Sequence, residues 1–140
     1  MTSAAPPEPI RVSAVVLRDP AGRVLTVRKR GTRRFMLVGG KHEPGEPPER
    51  TAVREAAEEV GAVLDPDRLE RLGLFSAAAA NEEGRTVESV VFAHPPVPLG
   101  EPPESEIEEQ RWLDPHTLPW PDDLAPLLAE HVLPLLVREA

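Results

Sequence analysis

Three glutamates at helical spacing are the first feature of this sequence suited to chemistry. Residues 39–62 read GGKHEPGEPPERTAVREAAEEVGA. With a helix from about Pro47 to Val60, Glu55, Glu58 and Glu59 fall within an arc of about 100°. Ala52, Val53, Ala56, Ala57 and Val60 share the other face. Like charges at these offsets cost a helix roughly 0.2–0.5 kcal/mol per pair. They also lie near its C-terminal end, where the dipole disfavours anions. A solvated acidic face would carry the same residues, but here the cluster has company. Gly39, Gly40 and Gly45 bracket a tight loop in which backbone can approach a ligand closely. Arg54 lies beside the cluster and Glu46 ends the loop, a candidate ion pair. Carboxylates with a free carbonyl are hard oxygen ligands, which suit Mg²⁺ or Mn²⁺ rather than zinc.

The rest of the chain must position this segment. Ile10–Leu17 reads as a strand, Asp19–Gly22 as a turn, and Val24–Val27 as the returning strand of a hairpin. A third apolar run, Phe35–Val38, stops at Gly39-Gly40. Proline suits the first turn of the helix and Gly61 its exit. Leu72–Ala80 and Thr86–Phe92 read as a second hairpin, His94–Pro103 as proline-rich loop, and Ile107–Leu113 as a last strand. A second helix is expected from Asp122-Asp123, with Leu124, Leu127, Leu128, Val132, Leu135 and Leu136 as its apolar stripe and Pro134 kinking or shortening it. The sum is an α/β (α+β) chain with a mixed sheet and two helices. Residues 1–9 read as a flexible tail and 10–140 as one domain.

At this point the segment resembles the signature of the Nudix hydrolases, in particular the MutT-like group. That signature is Gly, five residues, Glu, seven residues, Arg-Glu, an apolar residue, one residue, Glu-Glu, one residue, Gly and an apolar residue. Gly40, Glu46, Arg54, Glu55, Ala56, Glu58, Glu59, Gly61 and Ala62 stand at those places. Val38 replaces a frequent proline, and Ala56 and Ala62 are small for their positions. The resemblance implies an α/β/α sandwich and hydrolysis of a nucleoside diphosphate linked to another group. It implies that Glu55, Glu58 and Glu59, with the Gly39 carbonyl, hold Mg²⁺ or Mn²⁺. Gly40, Glu46, Arg54 and Gly61 would support the site. Glu55 and Glu58 are candidate bases within the segment. Glu106, six residues before Trp112, is the candidate from the later acidic loop, with Glu109 as runner-up. The implied substrate is a nucleoside triphosphate, oxidised forms included, cleaved to monophosphate and pyrophosphate. ADP-ribose enzymes of the family tend to carry a proline where Ala78 stands here, and dinucleoside polyphosphate enzymes often use a tyrosine, which this chain lacks. A nucleotide-binding regulator without turnover is the competing class, but such proteins often lose a glutamate that is present here.

Residues 28–34 (RKRGTRR) hold five basic side chains, and Lys41 follows. Arg28, Arg34 and Lys41 are the candidates for gripping an anionic substrate. A polar surface loop would carry the same charges. His42, His94, His116 and His131 show no ligand spacing, and Trp112 and Trp120 read as packing residues. No cysteine is present, which excludes a disulfide scaffold and a thiolate site. Neither a signal-peptide pattern nor an apolar run of about 20 residues occurs, so a cytoplasmic monomer or homodimer away from membranes is expected. The net charge of -8 argues against a nucleic-acid polymer as partner. That acidity is local. Six acidic residues lie in 39–62 and five in 101–109, leaving 13 acidic and 13 basic residues elsewhere.

Overall fold

The computed structural model describes residues 7–138. Residues 7–9 have no regular structure, and the rest of the expected tail, 1–6, lies outside the described residues. Six strands form: β1 (Ile10–Leu17), β2 (Val24–Lys29), β3 (Val38–Lys41), β4 (Glu70–Ala78), β5 (Thr86–His94) and β6 (Ile107–Leu113). Helix α1 covers Pro48–Val60, between β3 and β4. A π-helical turn at Leu127–Val132 runs into α2, Leu133–Arg138.

The main sheet has the order β3-β1-β5-β4. β1 and β5 are parallel, and the two outer pairs are antiparallel. The sheet is therefore mixed, as expected. Because strand side chains alternate in direction, β1 feeds two cores. Val15 and Leu17 join Val90 and Phe92 under Ala52, Ala56 and Val60 of α1. Ala14 and Val16 join Val91 and Ala93 under Leu128, Val132, Leu133 and Leu136 of the C-terminal helical segment. The α/β/α sandwich follows from this two-sided burial.

Three expectations need correction. First, β2 is not the partner of β1. The turn forms, with the Asp19 amide donating to the Arg23 carbonyl at 2.9 Å, but only an Arg18–Val24 bridge continues it. Both edges of β1 are taken by β3 and β5, so β2 pairs with β6 in a separate ribbon. Second, the third strand does not stop at Gly39-Gly40 but runs through them, since β3 is Val38–Lys41. Third, Asp122-Asp123 do not start the C-terminal helix. Both Asp123 carboxylate oxygens accept from the Arg111 guanidinium, and Phe35 and Leu124 form a bridge. The helical segment begins near Pro126. Pro134 lies inside it, directly after the π turn, in which the Leu133 amide donates to the Leu128 carbonyl. The second hairpin also sits two residues earlier on β4 than its apolar pattern suggested.

Candidate active site

Two short elements face each other to build the site. Helix α1 buries Thr51, Ala52, Ala56 and Val60 against the sheet and ends at Gly61, whose φ of 64° is the left-handed exit that glycine favours. Strand β3 lies beside the helix. A Cβ on Gly39 would sit 2.2 Å from the Ser13 carbonyl oxygen, so this glycine lets β3 close on β1. A Cβ on Gly40 would instead sit 2.5 Å from Cδ of Glu55, so Gly40 makes room for a carboxylate.

The acidic residues are held in different ways. Glu46 is fixed. Arg54 donates from Nε and Nη2 to its two oxygens at 2.8 and 2.9 Å, Thr51 Oγ1 donates at 2.6 Å and the Glu43 amide at 3.2 Å. Arg54 and then Thr51 pull the Glu46 carboxyl down to about 2, and Glu46 raises Arg54 in turn. Arg54 Nη2 also donates to the Lys41 carbonyl at 3.1 Å, which ties α1 to the end of β3. Glu55 accepts from Arg54 Nη1 at 2.7 Å, yet burial outweighs that contact and raises its pKa. Glu58 is exposed, 3.4 Å from the same nitrogen. Glu59 is buried beneath β3, where the Gly39 amide donates to Oε1 at 3.0 Å and Lys29 Nζ stands 3.9 Å from Oε2. Burial pushes Glu59 up to about 8, and the charges of Glu55 and Glu106 add to the shift.

Glu55, Glu58, Glu59 and Glu106 line one open cleft of about 800 Å³, with Lys29 and Lys41 among its other walls. Among the described residues, no three acidic or histidine side chains converge closely enough to hold a metal ion as they stand. Arg54 draws Glu55 aside, and Glu59 turns inward to the Gly39 amide. The donor set nonetheless fits a hard divalent cation. The donors are all carboxylate oxygens, and the most deeply placed one gains from any cation that offsets the cost of its buried charge.

The other candidates fall as follows. Gly39 directs its amide at Glu59 and lines a separate apolar pocket of about 160 Å³, which shares Lys29, Gly40 and Lys41 with the acidic cleft. Lys41 stands at the cleft and pairs with Glu82 at 3.2 Å. Arg28 is not brought into the cleft. It donates to the Thr32 carbonyl and pairs with Glu109 at 3.3 Å, which accounts for Glu109 as well. Arg34 donates to the Leu124 carbonyl and lines another cavity with Asp122 and Asp123. Of the basic run 28–34, Lys29 is the residue that reaches the cleft, and the sequence reading did not single it out. Its signal was period two, since Leu25 and Val27 of the same strand pack toward α1. Thr51, the clamp on Glu46, was also missed. His42 Nε2 meets Ser13 Oγ at 2.7 Å, His94 Nε2 accepts from the Asp65 amide, and Trp120 Nε1 donates to the Pro115 carbonyl.

The fold is a mixed-sheet α/β/α sandwich that presents a glutamate-rich helix beside a double-glycine strand. The NUDIX domain model matches residues 7–136, and the chain belongs to the Nudix family. It is thus a hydrolase of pyrophosphate bonds, in a family that generally uses divalent metal ions. Solved structures share the fold. A MutT NUDIX hydrolase from Burkholderia pseudomallei is 22% identical, with a TM-score of 0.68 over 96% of this chain and 99% of that one. A MutT protein from Methanosarcina mazei Go1 is 22% identical, with a TM-score of 0.71 over 94% and 96%. A UDP-X diphosphatase is 21% identical, with a TM-score of 0.69 over 96% of this chain and 64% of that one. No curated protein matches the sequence. No helix among the described residues is long and apolar enough to cross a membrane.

Proposed function

We propose that this protein hydrolyses a nucleoside triphosphate, oxidised forms included, to the monophosphate and pyrophosphate, with Mg²⁺ or Mn²⁺ as cofactor. The observation that carries the reading is the cleft itself. Glu55, Glu58, Glu59 and Glu106 are among the six glutamates that line it together with Lys29 and Lys41, and an apolar pocket shares Lys29, Gly40 and Lys41 with it. Glu55, Glu58 and Glu59 would hold the cation, which when bound neutralises phosphate charge and polarises a phosphorus–oxygen bond. Glu106 takes a proton from the attacking water as the oxygen adds to phosphorus and the anhydride bond opens. Lys29 and Lys41 bind phosphate oxygens. Glu46 and Arg54 keep β3 and α1 in register, and the apolar pocket receives the base. The complete carboxylate set favours turnover over a regulator that only binds. The same reading has the protein act in the cytoplasm, as a monomer or homodimer, on small nucleotides.

The test is release of nucleoside monophosphate by the purified protein with Mg²⁺ or Mn²⁺. The panel holds nucleoside triphosphates, oxidised nucleotides, UDP-linked sugars, ADP-ribose and dinucleoside polyphosphates. Nucleoside triphosphates are expected to turn over fastest. Glu59→Gln is expected to lose at least about 100-fold, the scale of removing a key electrostatic group. Absence of turnover on every substrate defeats the reading, and an equally active Glu59→Gln enzyme defeats the role given to Glu59.

A further inference from the structure

The loop that carries Glu106 is fastened to the end of α1 at two points. A helix leaves its last carbonyls without intrahelical donors. In α1, the carbonyl of Val60 accepts from the Gly100 amide at 2.9 Å, and the carbonyl of Glu59 accepts from Ser105 Oγ at 2.7 Å. Close approach at the first point needs glycine at 61, since a Cβ there would lie 2.8 Å from Gly100 backbone atoms. At the second point, Ser105 uses its one hydroxyl proton on Glu59 and accepts from the Ile107 amide at 3.1 Å. The hydroxyl thus joins the helix end to the first residue of β6, and Glu106 lies between Ser105 and that residue, Ile107. The far side is tied to Arg30, the residue that follows β2. The Arg30 amide donates to the Glu106 carbonyl at 2.8 Å, and Arg30 Nη2 donates to the Ser105 carbonyl at 3.2 Å. Backbone at residue 106 is therefore held from both sides while its side chain stays exposed at the cleft.

We propose that Ser105 is a positioning residue, which locks the Glu106 loop onto the C-terminal end of α1 so that Glu106 and the α1 carboxylates share one cleft. This rests on the role given to Glu106 above. Without the hydroxyl, the Glu59 carbonyl and the Ile107 amide lose their common partner. Glu106 then samples positions in which its carboxylate misses the reacting water, and small misplacements of this kind slow chemistry strongly.

The experiment is a double-mutant cycle on the full chain, read with whichever triphosphate the wild type turns over. Ser105→Ala is expected to lower kcat about 10-fold with KM unchanged. In the Glu106→Gln background the same change is expected to alter kcat less than 2-fold, because the group it positions is gone. An equal loss in both backgrounds, or wild-type kcat in Ser105→Ala, overturns the proposal. A wild type without turnover instead refutes the underlying function. Hydrogen exchange on metal-free protein gives an independent readout. The Ile107 amide is expected to be protected in the wild type and to exchange at least 10-fold faster in Ser105→Ala. Equal exchange rates in the two proteins also overturn it.

Discussion

Gly39 and Gly40 are neighbours in one strand, yet adding a single methyl group to each is expected to have opposite effects. At Gly39 the new Cβ would meet backbone, 2.2 Å from the Ser13 carbonyl oxygen and 2.8 Å from the Ala14 Cα. Ordinary contact starts near 3.4 Å, so β3 must move off β1 by about an ångström. Four register pairs, Val12–Lys41 through Val15–Val38, join these strands, and all of them are strained by that shift. Overpacking a tight site costs typically 1–3 kcal/mol, and a clash with backbone that cannot rotate away stands at or above the top of that range. A destabilisation of about 3 kcal/mol lowers Tm by roughly 10 °C in a chain of this size. At Gly40 the three atoms nearest the new Cβ all belong to the Glu55 carboxylate, Cδ at 2.5 Å and each oxygen at 2.7 Å. A glutamate end can swing away, so the fold loses about 1 kcal/mol or less. The swing removes Glu55 from the cleft, however, and a loss of about 100-fold in kcat is expected. Thermal melts and steady-state kinetics on Gly39→Ala and Gly40→Ala separate the two effects. A Gly40→Ala enzyme with full kcat, or a Gly39→Ala protein melting with the wild type, would refute this division of labour.

Glu59 also sets a pH dependence. Its folded pKa of about 8 lies above the ordinary 4.5, so between these values the native state holds a proton that the unfolded chain has released. Metal-free stability therefore falls as pH rises through that window, by up to about 1.4 kcal/mol per pH unit. Glu59→Gln still accepts from Gly39 and should lack this component, so the gap between its urea midpoint and that of the wild type widens from pH 5 to pH 8. Identical pH dependence in the two proteins would count against the burial argument. Lys29→Met is expected to raise KM roughly 10-fold while Arg28→Ala leaves it within 2-fold, because only the first side chain lines the carboxylate cleft. Initial-rate kinetics decide, and the reverse order would reinstate Arg28. Arg111 grips Asp123 with two nitrogens and stacks 3.7 Å from the Phe35 ring centre. Arg111→Lys cannot do both, so a loss of about 1–2 kcal/mol is expected by urea unfolding.

Local signals were readable where local chemistry decides the outcome. Helix α1 has proline at its start and glycine at its exit, and the structure keeps both. Of the expected apolar face it buries Ala52, Ala56 and Val60 but leaves Ala57 exposed, burying Thr51 and Glu59 instead. β6 likewise has the bounds expected of it, Ile107–Leu113. Pairing was not readable, because it depends on competition between distant segments. β2 looks like the hairpin partner of β1 until β3 and β5 occupy both edges. Gly39-Gly40 reads as a breaker in isolation, yet in the sheet the missing side chains are what allow β3 to lie where it does. Asp122-Asp123 have the composition of a helix start, but Arg111 claims Asp123 from another element. At the site, the spacing of Glu55, Glu58 and Glu59 was visible in the sequence. Which of five neighbouring basic residues reaches them was not, since that depends on the direction each takes from the end of β2.

The environments of two glutamates also separate support from chemistry within one short segment. Glu46 and Glu59 are identical side chains, and the fold moves them in opposite directions, to about 2 and about 8. Glu46 has its acceptor sites filled by Arg54, Thr51 and a backbone amide, so its charge is already compensated and it has little left to offer a ligand. Glu59 has one amide at 3.0 Å and one lysine at 3.9 Å, too little to offset its burial. A carboxylate left undercompensated in a cleft is a poor structural element and a good receptor for a cation. Arg54 spans the two regimes. It is committed to Glu46 through two nitrogens, while the nitrogen on Glu55, 3.4 Å from Glu58, holds the very groups a cation would claim. A bound cation would therefore have to draw Glu55 from that single nitrogen, while the Glu46 fork could keep β3 against α1.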